Sequence, residues 1–191
     1  GFDEILVADH QPSWVVTLPR YSLNPDSWTI GYGPVGYEYI EYPFRPGSPI
    51  GGLTPKKWCG EEGNSSRLHP SNYYWMENQR QHADIDEIQT MNGACWFMLR
   101  DFYHHIEGLD ERLWNFHNDA VEIGMKAWLS GGKLMVNKHA YHGHWWKSSK
   151  KRTVPLNRDA MRSTQAYQTW YWMTDQWPRA IHPFSWFIQH F

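Results

Sequence analysis

Two hydrophobic rhythms alternate along this chain, one helical and one of period two, and together they predict its elements. "FDEILVA" places apolar residues at helical spacing behind an acidic first turn, so it reads as a short helix that ends near Pro12. "WVVTLP" is β-branched and bounded by prolines, the pattern of a buried strand. "YEYIEYPF" alternates Tyr and Ile with Glu, which predicts a strand with one wet face. From Arg45 to Pro70 the rhythm stops. That stretch is rich in Pro, Gly and Ser and reads as a long loop of the kind that carries function.

Order returns in the second half. "IQTM" and "CWFML" read as strand segments on either side of a Gly93-Ala94 turn, and "RDFYHHI" as a short helix with Gly108 at its C′ stop. An acid-led helix follows from Asp119, then Gly131-Gly132, the strand "KLMVN" and a cluster of histidines. "WKSSKKRTVPLNRDAMR" reads as a basic loop. In "STQAYQTWYWMTDQWP", Trp170, Met173 and Trp177 fall at i, i+3 and i+7, the spacing of an amphipathic helix. "PFSWFIQHF" closes the chain as a second aromatic helix, and these C-terminal aromatics are expected in the core. There is no internal repeat and no low-complexity tract.

Composition narrows the classes. A chain of 191 residues and 22.7 kDa suits one domain with a real core. A formal net charge of -2 gives no global reason to expect nucleic acid or an anionic membrane as partner. No apolar run approaches a membrane span, and "GFDEILVADH" does not read as a signal peptide. Cys59 and Cys95 are too few for a disulfide framework and lack metal-knuckle spacing, so the expectation is reduced thiols in a cytoplasmic setting. The aromatic content of 17%, with 13 Trp, suits a core and also the apolar faces of sugar rings.

Candidate chemistry gathers between Gly93 and His144. Asp119 and Glu122 share a helix face. They also fit a capping box, with Asp119 as N-cap and Glu122 reaching back, and Glu122 can pair with Lys126 at i+4. Capping and function can coexist, because a helix N-terminus at a cleft presents both its acids and its N–H groups. His142 and His144 are two apart, so on an extended segment they face one way, and Gly143 between them allows close approach. Neutral imidazole is a common ligand of transition metals. A metal hydrolase built on His139, His142 and His144 with Asp119 is one further reading, and it requires those ligands around one ion.

The segment from Gly93 to His144 resembles the second half of a GT-A-fold glycosyltransferase catalytic domain. It is most similar to the family-2-type enzymes and the polypeptide N-acetylgalactosaminyltransferases. The elements that carry the likeness come in the family's order: Gly93-Ala94, Arg100-Asp101-Phe102, Gly108-Leu109-Asp110-Glu111, Asn118-Asp119, Lys126-Ala127-Trp128, Gly131-Gly132 and Gly143-His144. "FDEILVADHQPSWVVTLPRY" adds a looser likeness to the segment after the family's Asp-x-Asp or Asp-x-His motif.

The resemblance implies an α/β fold, the C-terminal subregion of a GT-A domain. That means a small mixed sheet flanked by helices, with residues 1–145 as the acceptor-side catalytic region and 146–191 as a basic loop and aromatic helical tail. It implies metal-assisted transfer of a sugar from a UDP- or GDP-sugar to a hydroxyl of an acceptor glycan or protein. Asp119 matches the acid at the acceptor, the general base of inverting members, with Glu122 beside it as the second catalytic candidate. His144, joined by His142, matches the site of a divalent metal, Mn²⁺ or Mg²⁺, on the donor diphosphate. Lys147, Lys150, Lys151 and Arg152 match the segment that folds over that diphosphate, and Trp96, Trp114 and Asn118 fall on the acceptor side. The pattern departs from the family in having Asn118-Asp119 for a Glu-led pair and in lacking both Asp-x-Asp and the nucleotide-holding half. A fragment or split chain completed by an N-terminal polypeptide is therefore expected. The alternative is a non-catalytic carbohydrate- or protein-binding module that keeps the fold.

Overall fold

Val15 and Val16 are enclosed on all sides because their strand, β1 (Trp14–Thr17), runs inside a sheet rather than along its rim. In the computed structural model, which describes residues 1–31, 38–41, 54–57, 83–91, 93–113, 119–145, 147 and 157–191, that sheet has four strands. β1 is flanked on one side by β8 (Lys133–Asn137), which runs parallel to it, and beyond β8 by β6 (Ile85–Glu87), which runs antiparallel. On its other side it pairs antiparallel with β7 (Trp96–Phe97). Helix α1 (Phe2–Ala8) precedes β1 and buries Leu6, as its sequence pattern predicts.

Helix α3 (Asp119–Leu129) packs across the sheet, and every residue from Ala120 to Leu129 is buried. Its C-terminus turns through Gly131, at φ 81°, and Gly132 into β8. A Cβ on Gly132 would lie 2.4 Å from the Ser13 carbonyl and 2.5 Å from the Phe102 ring, so only glycine fits where helix, strand and ring converge. The chain reverses direction between α3 and β8. The N-terminus of α3 therefore stands at the carboxyl end of the parallel pair β1 and β8.

β1 continues through Leu18-Pro19 into β2 (Arg20–Asn24), the middle strand of a second sheet. Its neighbours are β3 (Thr29–Ile30), antiparallel, and β9 (His142–His144), parallel. β4 (Glu38–Glu41) pairs antiparallel with β5 (Thr54–Lys57). β5 lies inside the stretch read from sequence as a loop: its Thr-Pro-Lys-Lys carries no apolar period, and pairing with β4 is what makes it a strand.

Other expectations hold or shift for identifiable reasons. α2 (Arg100–His105) ends one residue earlier than predicted: after the Ile106 cap the C′ residue is Glu107, at φ 61°, and Gly108 follows at φ 54° with its N donating to the Tyr103 carbonyl at 2.9 Å. The strand expected at "IQTM" lies three residues earlier at β6; Ile88 still donates its N–H to the Leu134 carbonyl at 3.0 Å, and Ile88, Thr90 and Met91 are buried. Helix α4 (Arg158–Met173) begins within the segment read as basic loop, because the Asn157 side chain accepts from the N–H groups of Asp159 and Ala160. Its buried residues include Thr164, Gln168, Thr169, Tyr171 and Trp172; of the predicted Trp170–Met173–Trp177 stripe, Met173 packs on the core and Trp177 is buried in it. Trp170 is half exposed, and Trp177 lies beyond the helix end, reached through a turn with Asp175 at φ 53°.

Helix α5 (Phe184–His190) follows, and Phe184 and Phe187 join α3 and α4 in one core. Ile181 and His182 donate their N–H groups to the Leu129 carbonyl at 2.7 and 3.1 Å, satisfying the C-terminus of α3. The aromatic tail is thus continuous with the core of the preceding region.

Candidate functional site

Asp119 opens α3, and its carboxylate rests against the Gly93-Ala94 turn. A Cβ on Gly93 would meet Asp119 Oδ2 at 2.7 Å and Oδ1 at 3.2 Å, so the bare glycine backbone is what admits the acid. Two residues on, the Cys95 carbonyl accepts a hydrogen bond from Thr17 Oγ1 at 2.7 Å, and Trp96 pairs with Thr17 across β7 and β1. Asp119, Gly93 and half-buried Trp96 are thereby fixed at the carboxyl end of β1.

The histidines approach from the other side of the same strand end. Three residues after Thr17, roughly 10 Å of extended chain, Arg20 is in register with His142, and Ser22 with His144. His142 N donates to the Pro19 carbonyl at 3.0 Å. Residues in register share a face, so Arg20, Ser22, His142 and His144 line one side of the sheet, while Gly143 sits against Leu23 and Ile30 on the other. Acid and imidazoles therefore stand at the carboxyl end of one parallel strand pair, where open α/β sheets take their ligands.

Among the described residues, neither ring nitrogen of His142 has a hydrogen-bond partner. Burial, then the nearby Arg20 guanidinium and His144, push its pKa down to about 4. The ring is neutral at pH 7 with a lone pair to offer. That fits a borderline divalent metal, and His142 and His144 are the residues that would hold it. Arg20, buried at 6% exposure, escaped the sequence reading. Its signal was being the only charge in the run from Trp14 to Tyr21.

Glu122 does not join Asp119. It is 1% exposed, with Oε1 2.7 Å from Lys126 Nζ and accepting from Asp110 N at 2.6 Å. Lys126, 3% exposed, also donates to the Gly108 carbonyl at 2.7 Å. The expected i+4 pair is formed, but the capping role is corrected, since Glu122 ties the 108–110 segment to α3. Burial pushes its carboxyl up, against the pull of Lys126. Its catalytic candidacy is corrected too: a carboxylate so enclosed and so engaged is structural.

The remaining candidates divide. Lys147 is exposed, with Nζ 5.1 Å from the Trp145 ring centroid. Lys150, Lys151, Arg152, Trp114 and Asn118 lie outside the described residues. His139 turns to Asp9 and Asp84, and among the described residues no three His, Cys, Asp or Glu side chains gather as a metal-holding group. The three-ligand arrangement a metal hydrolase requires is not formed there. No helix among the described residues is long and apolar enough to cross a membrane.

The described residues thus form a mixed sheet with an acid-led helix folded back on it and a histidine strand at the same end. The crystal structure of GalNAc-T7 with UDP, GalNAc and Mn²⁺ superposes at a TM-score of 0.55 and 17% identity, over 91% of this chain and 29% of that one. Polypeptide N-acetylgalactosaminyltransferase 3 from Taeniopygia guttata is 23% identical over 101 residues, and its Mus musculus counterpart likewise. Each alignment covers 52% of this chain and 16% of the relative, so the chain spans a minor part of the proteins it matches. No family model matches. The likeness establishes the fold: this chain has a polypeptide N-acetylgalactosaminyltransferase-like GT-A fold.

Proposed function

We propose that the chain is the acceptor-side, catalytic part of a glycosyltransferase that moves a sugar from a nucleotide-sugar to an acceptor hydroxyl. The observation that carries this is the placing of Asp119 and the His142–His144 strand at one end of the β1–β8 pair, on a GT-A scaffold. Asp119 accepts the hydrogen bond of the acceptor hydroxyl and, in an inverting transfer, takes its proton as the oxygen attacks the anomeric carbon. Trp96, at the same turn, offers an aromatic surface to the acceptor. The crystal neighbour's UDP, GalNAc and Mn²⁺ favour a UDP-sugar, N-acetylgalactosamine and a divalent metal for this chain as well. A metal held by His142 and His144 would neutralise charge on the departing diphosphate. Lys147, with Lys150, Lys151 and Arg152, would face that same charge.

Relatives far longer than the matched region support a further proposal, that a donor-binding polypeptide segment completes the site. A cytoplasmic setting is proposed from the cysteine usage, and burial pushes the free Cys95 thiol up, towards its protonated form. Calorimetric titration of the chain with Mn²⁺ and UDP-sugars, alone and with any donor-binding polypeptide found to accompany it, tests the reading. Binding that weakens in His144→Ala supports it. A folded chain that binds neither in either setting overturns it. Glycan binding indifferent to metal and to Asp119→Asn would instead mark a binding module.

A further inference from the structure

The turn that joins β8 to β9 is held from two sides by one imidazole. His139 Nδ1 lies 2.8 Å from Oδ2 of Asp9, the residue that closes α1, and its Nε2 lies 3.5 Å from Oδ2 of Asp84, just ahead of β6. Asp9 Oδ2 also accepts from Asn137 Nδ2 at 2.8 Å, and Asn137 Oδ1 accepts from His139 N at 2.9 Å. Three segments distant in sequence meet at this ring.

Ionised carboxylates only accept hydrogen bonds, so a ring facing two of them needs a hydrogen on both nitrogens, which only the imidazolium has. A neutral ring keeps one N–H and turns a lone pair on the other carboxylate. Among the described residues the charged neighbours are Asp9 from α1, Asp84 and Asp86 from the β6 side, and Lys138 from the turn itself. Lys138 Nζ is 4.0 Å from Asp86 and donates to the Ala83 carbonyl at 2.5 Å. His10, beside Asp9, is engaged with the Trp14 carbonyl, and burial pushes its pKa down, so it adds no charge at pH 7. Hydrogen bonds to Asp9 and then Asp84 hold His139 above the ordinary imidazole value. With 43% of its side chain exposed, the ring can exchange its proton with water.

We propose that His139 is a proton-operated clasp that fixes where β9, and with it His142 and His144, stands relative to β8. With both nitrogens protonated it binds Asp9 and Asp84 together. Losing one proton to solvent, it keeps the shorter Asp9 contact and releases Asp84, which slackens the three residues leading into β9. His139 thus acts as a positioning residue, and its regulatory meaning rests on reading the His142–His144 strand as the donor side of the transferase site.

The test is an NMR titration of the ¹⁵N-histidine-labelled 191-residue chain, together with amide protection factors for His142–His144, all without metal or UDP. His139 is expected to titrate above the free value of about 6.5, and Asp84→Asn to lower it by about one pH unit. Protection of the β9 amides should fall severalfold as the ring deprotonates, and lose that dependence in His139→Gln. A His139 that titrates at or below the free value overturns the clasp, as does β9 protection that follows pH alike in both chains. Asp84→Asn keeps the ring and gives the answer should His139→Gln not fold. A chain that titrates as expected but never binds UDP with Mn²⁺ sinks the transferase reading and leaves the clasp standing.

Discussion

The two sheets that meet at Leu18-Pro19 are built to different standards. Beneath the four-stranded sheet, ten consecutive residues of α3 are buried, a Cβ on Gly124 would lie 3.3 Å from Leu134 Cδ2, and the Glu122–Lys126 pair is sealed within. The three-stranded sheet has short strands and much open surface: Trp28 is 78% exposed, Tyr141 58% and Ile30 42%. The acid of the candidate site stands on the first, the imidazoles on the second. A position fixed by many buried contacts tolerates little change around it, whereas one fixed by a few contacts can be moved by a few. Asp119 is therefore preset by the core, whereas the His142–His144 strand stands on a more open sheet.

The sharpest way to probe that contrast is Asp119→Asn. Transfer activity should fall by about 10²- to 10⁴-fold, while the denaturation midpoint stays put, because the side chain is only half-buried at the scaffold's edge. A large loss of stability would show that Asp119 belongs to the core rather than to the site. Lys126→Met should cost about 3–5 kcal/mol in urea denaturation, because it strands the Glu122 charge inside. Pairing it with Glu122→Leu should recover most of that loss, and no recovery would mean that the hydrogen bonds to Asp110 and Gly108 dominate.

Gly132→Ala should cost about 3 kcal/mol, since the new methyl meets backbone as well as the Phe102 ring. The smallest effect is Asp9→Asn, read as the difference in thermal midpoint across pH. Asp9 is held below its ordinary 3.8 and His139 above its ordinary 6.5, so their mutual stabilisation is fully present between those values. It is lost as pH falls through the depressed Asp9 pKa or rises through the raised His139 pKa. The variant should thus lag the parent most between about pH 4.5 and 6.5, and a pH-independent gap would refute the linkage.

Most elements of the second half were legible because local chemistry and tertiary need agree there. "KLMVN" is β8 residue for residue, the left-handed turn that ends α2 falls within one residue of the predicted Gly108, and the Glu122–Lys126 spacing produces the pair. Legibility failed where the partner was distant. β5 is a strand only because β4 lies beside it. The face that α4 buries is polar at Thr164 and Gln168, so a count of apolar residues missed them and wrongly included Trp170. The two acids of α3 look equivalent in the sequence, yet one faces a glycine turn and the other a lysine in the core.

By itself the sequence determined which chemistry is carried and in what order: an acid opening a helix, a Gly-Gly return, an apolar strand, then paired histidines. Those are set by residue type and by spacing along one chain, which helix and strand periodicities convert directly into local geometry. Only the tertiary structure decided which acid stays at the edge, that Arg20 flanks His142, and that Asp119 and the histidines share one end of a strand pair. Such choices depend on contacts between segments tens of residues apart, where close approach permitted at Gly93 and burial enforced at Glu122 outweigh any local preference.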